Sequence, residues 1–172
     1  MTLLALDLAT KTGWAVAHLV DRVPLTAQLR YNPEAHKEPI IDSGAWKLGG
    51  VSLNECVVEL WHRIHDVGSK HKVTHIAVEL PFAGARGNAI MKLGPLHGVA
   101  RLVCGLQKLP FYAYEPSMIK RYATGNGSAK KFDMVDAGER RGWTKGLGED
   151  EVDARWIALM AVDRIAGQKA KR

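Results

Sequence analysis

The sequence predicts an α/β fold, with a mixed five-stranded sheet flanked by helices and formed within 172 residues read as one unit. Three observations point there. Short apolar runs at Leu3–Leu8, Thr74–Glu79 and Phe111–Tyr114 have the length and composition of buried strands. Longer stretches between them carry helix caps and apolar residues at three- and four-residue spacing. The order is three strands, then helix, strand, helix, strand and helices, which reads as a meander continued by crossover connections.

Each element has a local reason. Leu3–Leu8 is apolar except for Asp7, and Gly13–Leu19 is a second strand reached by a tight turn through Thr10, Lys11 and Thr12. A polar stretch with three prolines, about Asp21–Pro39, reads as a long loop or hairpin excursion before a third strand at Ile40–Leu48. Ser52 caps a helix over about Leu53–Ser69 whose apolar face holds Val57, Leu60, Trp61 and Ile64. Pro81–Gly87 is a loop, and a helix follows over Asn88–Gln107, with Pro95 either beginning it or kinking it. Pro116 starts a short helix that ends near Gly125. Ser128–Arg141 is helical. A final helix over Glu149–Ala166 is apolar on most faces, as in a helix buried against a sheet, and residues 168–172 are expected to fray as a basic tail.

Composition narrows the function classes. Apolar residues make up 47% and charged residues 24%, an ordinary globular balance that argues against disorder. A net charge of +6 and a pI near 9.4 suit an anionic partner, either nucleic acid or a membrane surface. No apolar run reaches the ~18 residues of a spanning helix. The first residues lack the charged region of a signal peptide, and Asp7 breaks their apolar stretch. Cys56 and Cys104 have no metal-ligand spacing and read as core residues of a reduced, cytoplasmic protein.

Four carboxylates stand where packing does not want them. Asp7 interrupts an apolar strand, although Thr10 and Thr12 could let it cap the next turn. Glu79 ends a second apolar strand; taken alone it could pair with Arg86 or Lys92, an explanation that weakens once it is paired with Asp7. Asp150 and Asp153 share one helix face. Asp150 suits the helix dipole of a first turn, and Asp153 lies too deep for it. Four carboxylates at one end of a sheet repel one another, and two Mg²⁺ ions relieve that repulsion. Such a pair, ~4 Å apart, clamps the attacking and leaving oxygens of phosphodiester hydrolysis. Lys120, Arg121, Lys130 and Lys131 cluster around two glycines, as in a phosphate-contacting loop; a solvated helix end is the plainer alternative.

The order of elements is also that of the ribonuclease H-like fold, and the motifs resemble the RuvC family of Holliday junction resolvases over most of the chain. The segment Leu6–Trp14 is similar to the family's opening strand and glycine turn, and Glu79-Leu80-Pro81-Phe82 to its E-x-x-F. Leu93-Gly94 and Gly98-Val99-Ala100 resemble the following helix. Pro116, Ile119-Lys120 and Gly125–Lys131 resemble its P-x-x-(V/I)-K and G-x-G-S-A-x-K stretches, and Asp150–Ala154 its terminal D-x-x-D-A. The resemblance implies a homodimeric crossover junction endodeoxyribonuclease that binds four-way junction DNA and makes two symmetric cuts. It implies Asp7, Glu79, Asp150 and Asp153 as ligands of two Mg²⁺ ions per site, with Mn²⁺ able to substitute. Lys120 and Lys131 would contact phosphate at the cut, Arg121 and Lys130 would bind DNA nearby, and Phe82 would stack on an unpaired base. Two features depart from the family's pattern: the long segment 21–39, and Pro95 within the helix near the expected dimer interface.

Other classes share parts of this pattern. A branched-DNA nuclease of broader range or an RNA nuclease like YqgF would keep the fold and change the substrate. A non-catalytic junction binder would have lost a carboxylate, and none is missing. A sugar-kinase-like ATPase also places a phosphate loop after a first strand, but this chain is short for two such lobes and carries no second phosphate loop.

Overall fold

The computed structural model describes residues 1–19, 39–49, 52–81 and 88–169. Along them run β1 (Thr2–Asp7), β2 (Lys11–His18), β3 (Ile40–Lys47), α1 (Leu53–His71), β4 (His75–Glu79), α2 (Asn88–Gln107), β5 (Phe111–Tyr114), α3 (Pro116–Thr124), α4 (Lys131–Arg140) and α5 (Glu149–Lys169). The five strands form one sheet in the order β3-β2-β1-β4-β5. β1, β2 and β3 pair antiparallel as the expected meander, and β4 and β5 add in parallel beside β1.

Strand alternation sorts the core into two layers. On one face Leu4, Leu6, Val16, Trp46, Ile76 and Val78 pack against Leu60 and Ile64 of α1 and Leu96, Val103 and Cys104 of α2. On the other, Leu3, Ala5, Ala15, Ala17 and Ala77 pack against α3, α4 and α5. The second face is floored largely by alanines, and α5 meets it with Ala154, Ala158 and Ala161, all fully buried. Small residues on both sides let the helix axis lie close to the sheet. That closeness decides where the first turn of α5 sits.

Local capping explains the helix ends. Ser52 and Glu55 form a reciprocal capping box at α1, which ends at Lys72 in a left-handed conformation. Gly125, with φ of 83°, closes α3 after Pro116 opens it. α2 runs through Pro95 rather than starting there. Cys56 and Cys104 are buried free thiols, as expected.

Three expectations are corrected. Trp61 is not a core residue: 37% of it is exposed, and the buried stripe of α1 is Cys56, Leu60, Ile64 and Val67. A helix buries one stripe, and position 61 falls beside it. α4 starts at Lys131, not Ser128, because the Asp133 carboxylate accepts from the Lys130 N–H and fixes the cap there. α5 continues to Lys169, past the expected fraying point at residue 168. Residues 21–38 of the expected excursion lie outside the described residues.

Candidate active site

Asp7 and Glu79 end two neighbouring parallel strands. β1 and β4 are in register through Leu6 and Val78, so Asp7 and Glu79 follow as the next pair. Alternation turns both toward the alanine face, the one that α5 covers. The ends of parallel strands that face a covering helix are where α/β sheets place ligands. Of the two hydroxyls that could cap with Asp7, that of Thr12 is engaged with Ala9: it donates to the Ala9 carbonyl at 2.6 Å and accepts from its N–H at 3.3 Å. The cations acting on Glu79 are Lys120 and Lys131. Lys92 is not among them, and Arg86 lies outside the described residues.

α5 brings Asp150 and Asp153 to the same place. The start of this helix rests directly on β2 at Gly13, the registered partner of Asp7. A Cβ at Gly13 would stand 1.7 Å from the Asp150 carbonyl oxygen, so only glycine admits the contact. β3 ties the helix from the other side. The Ser43 hydroxyl donates to Glu151 at 2.7 Å and accepts from the Arg155 guanidinium at 3.0 Å. Farther along, the Trp156 indole N–H donates to the Met134 carbonyl at 3.1 Å, and Tyr122 donates to Asp163 at 2.7 Å, holding α4 and α3 to α5.

The basic residues divide into two groups. Lys131, at the start of α4, places its Nζ 3.5 Å from Glu149, 3.8 Å from Asp153 and 4.0 Å from Asp150. Lys120, on α3, acts electrostatically on Glu79 and Asp153. Arg121 and Lys130 are exposed and stand apart from these carboxylates' interactions. Of the two adjacent lysines, Lys131 faces the carboxylates, and the Lys130 backbone forms the helix cap. Phe82 lies outside the described residues.

The crowding has an electrostatic signature. Burial, then the Asp153 charge and more weakly Asp150, push the Asp7 carboxyl up to about 7, against the pull of Lys131. Burial, Asp7 and Asp153 push Glu79 up to about 8. Burial is also the main cause that carries Asp153 to about 6, with Lys131 opposing it and Asp150 and Glu149 adding to it. For Lys131, burial acts downward but is outweighed by Asp153, Asp150, Asp7 and Glu149, so its affinity for the proton rises. Perturbed groups acting on one another at the end of a sheet mark a site built for charge.

The donor set fits a divalent cation. It consists of hard carboxylate oxygens, partly desolvated, whose mutual repulsion a 2+ charge would relieve. In the present side-chain positions, no group of three or more His, Cys, Asp or Glu among the described residues is gathered around one point. Asp150 and Asp153, with Glu149, share the Lys131 ammonium instead, so the carboxylates would have to rearrange to close on a metal. Two participants have no local signal in the sequence. Lys11 pairs with Asp150 at 2.7 Å, and Glu149 shares Lys131; both contacts join residues remote along the chain or on different elements.

Comparison with known proteins gives a consistent result. The family model described as crossover junction endodeoxyribonuclease RuvC matches residues 32–137. A crossover junction endodeoxyribonuclease RuvC of Oleidesulfovibrio alaskensis is 28% identical over 161 residues, covering 92% of this chain and 89% of the relative. The solved structure of Thermus thermophilus RuvC in complex with Holliday junction substrate superposes with a TM-score of 0.75 at 20% identity, over 98% of this chain and 96% of that one. The yeast mitochondrial Holliday junction resolvase Ydc2 superposes with a TM-score of 0.59 at 13% identity, over 96% and 80%. The likeness to solved structures identifies the fold as ribonuclease H-like, and the match of the family model over more than half of the sequence shows that the chain belongs to the crossover junction endodeoxyribonuclease RuvC family.

Proposed function

We propose that this chain is a structure-specific endonuclease that hydrolyses phosphodiester bonds in branched DNA, and that it resolves four-way junctions as a homodimer. The observation that carries this reading is the convergence of Asp7, Glu79, Asp150 and Asp153 beside Lys120 and Lys131, in a chain of the RuvC family. The relative bound to Holliday junction substrate supports the choice of DNA. Two core layers sharing one sheet support reading residues 1–172 as a single nuclease unit. Met91, Leu102 and Leu106 of α2 expose apolar side chains within one stripe, which supports a partner copy there. No helix among the described residues is long and apolar enough to cross a membrane, and the two buried free thiols favour a reduced, cytoplasmic setting.

RuvC-family nucleases use divalent metal ions; here we assign Mg²⁺, two per site, with Mn²⁺ as a substitute. Asp7, Glu79, Asp150 and Asp153 would hold them. Bound there, the metal would supply charge stabilisation and Lewis-acid activation for phosphodiester hydrolysis. The protein's own groups do the rest. The sheet end and α5 hold the carboxylates in fixed relation. Lys131, once the carboxylates are engaged elsewhere, is free to meet a phosphate oxygen, and Lys120 flanks it. Arg121 and Lys130 bind the DNA backbone nearby. Phe82, three residues beyond Glu79, stacks on a base left unpaired at the branch.

The test compares nicking of four-way, three-way, flap and linear DNA of one sequence in Mg²⁺. Fastest cleavage of the four-way junction, in symmetric pairs of nicks, is expected. Equal cleavage of linear duplex, or none of any substrate, overturns the reading.

A further inference from the structure

The shortest ion pair at the carboxylate cluster involves Lys11, not Lys131. Lys11 opens β2 directly after the turn, where Thr12 is fully buried and anchored on Ala9. Strand alternation therefore sends the Lys11 side chain the opposite way, and its ammonium meets Asp150 Oδ2 at 2.7 Å. Lys131 is shared among three carboxylates at 3.5 to 4.0 Å and commits to none. Asp150 is only 17% exposed, whereas Lys11 is 59% exposed and can swing into water without unfolding anything.

We propose that Lys11 acts on the metal centre through Asp150: it competes with the divalent cation for that carboxylate, so that it sets the metal concentration at which the centre fills. The inference rests on the reading of Asp7, Glu79, Asp150 and Asp153 as metal ligands. Its physical basis is substitution at one oxygen pair. A carboxylate closed by an ammonium at hydrogen-bond distance must lose that partner to take a cation there, and the energy of the ion pair opposes filling. A half-exposed pair is weak, so the competition tunes the threshold and does not block it.

The experiment follows the melting temperature of the DNA-free protein as Mg²⁺ is added, for the wild type, Lys11→Gln and Lys11→Arg. Lys11→Gln should fill at a roughly two- to fivefold lower Mg²⁺ concentration, the fold-change expected from losing an exposed pair. Lys11→Arg should stay near the wild-type midpoint, because the guanidinium restores the ion pair. An unchanged or higher midpoint for Lys11→Gln overturns the proposal, as does a Lys11→Arg midpoint that moves with it. Should Lys11→Gln melt too low to follow, calorimetric Mg²⁺ binding at low temperature reads the same midpoint. A wild type whose melting temperature ignores Mg²⁺, with no heat of binding, refutes the metal centre itself and the role of Lys11 with it. Asp7→Asn as a control distinguishes the two failures, because it should weaken Mg²⁺ binding if the centre exists, whatever Lys11 does.

Discussion

Gly13→Ala is expected to disable this protein without touching a charged group. Gly13 is the registered partner of Asp7 and lies under the first turn of α5. Its added methyl would stand 1.7 Å from the Asp150 carbonyl oxygen and 2.3 Å from the carbonyl carbon. Ordinary contact begins near 3.4 Å, so strand and helix must separate by about 3.4 − 1.7 = 1.7 Å. Both clashing atoms belong to the backbone, and no rotamer change relieves them. β2 is held between β1 and β3, and α5 is tied to β3 through Ser43, Glu151 and Arg155. Overpacking of this kind costs about 1–3 kcal/mol, and with two backbone partners the upper end applies. At roughly 2–4 °C per kcal/mol for a chain of this length, the melting temperature should fall by about 6–12 °C. The larger effect is on chemistry. A misplacement of ~1 Å in a catalytic group costs on the order of 100-fold, and here Asp150 and Asp153 move together. Single-turnover nicking of a four-way junction below the melting transition should therefore fall at least that far. Junction binding should hold within a few-fold, because Lys120 and Lys131 sit on α3 and α4. Gly68→Ala in α1 is the control: a Cβ there meets nothing within 4 Å, and stability should rise slightly. Wild-type nicking by Gly13→Ala with an unmoved melting temperature would refute the close approach of β2 and α5 as the device that aligns the carboxylates.

Three further outcomes follow from the same site. Asp7→Asn should abolish most cleavage and yet raise the melting temperature in chelator at pH 8, since it deletes a buried charge; a destabilised variant would contradict the repulsion argument. For the metal-free wild type, the folded carboxyls of Asp153, Asp7 and Glu79 hold their protons to about 6, 7 and 8, while unfolded carboxyls lose them near 4. The folded state therefore binds more protons in this window, and its stability should fall as pH rises from about 4 to 8. Carrying the Asp7 carboxyl from the ordinary range to about 7, with the neighbouring acids contributing, corresponds to on the order of 4 kcal/mol, so thermal melts in chelator should drop by roughly 10 °C, and added Mg²⁺ should restore most at the alkaline end. A flat pH profile would sink this account. Lys131→Ala should slow cleavage at saturating DNA by about 10- to 100-fold and reduce the slope of log affinity against log salt by about one, as measured by fluorescence anisotropy; an unchanged slope would mean that Lys131 never meets phosphate.

The elements were legible in the sequence because their determinants are local. Apolar runs of strand length, the Ser52–Glu55 capping box, Pro116 and Gly125 all act within a few residues, and β5 and α2 occupy the spans expected of them. The carboxylates were legible for a related reason. A charge in an apolar strand is anomalous wherever the strand goes, so Asp7 and Glu79 announce themselves without a partner in view. Trp61 and the start of α4 were misread because a helix stripe and a cap depend on which face is buried and which carboxylate reaches back.

What only the tertiary structure decided is which groups meet. Lys11 and Asp150 are far apart along the chain, and nothing in the sequence pairs them. Lys130 and Lys131 are equivalent in sequence until α4 begins, after which one forms the cap and the other faces the acids. Gly13 reads as a turn glycine, whereas its tertiary role is to let a helix backbone rest against a strand. Each is a contact across long chain separation, made possible by the alanine floor that draws α5 onto the sheet, and distance in space is the quantity a linear pattern does not carry.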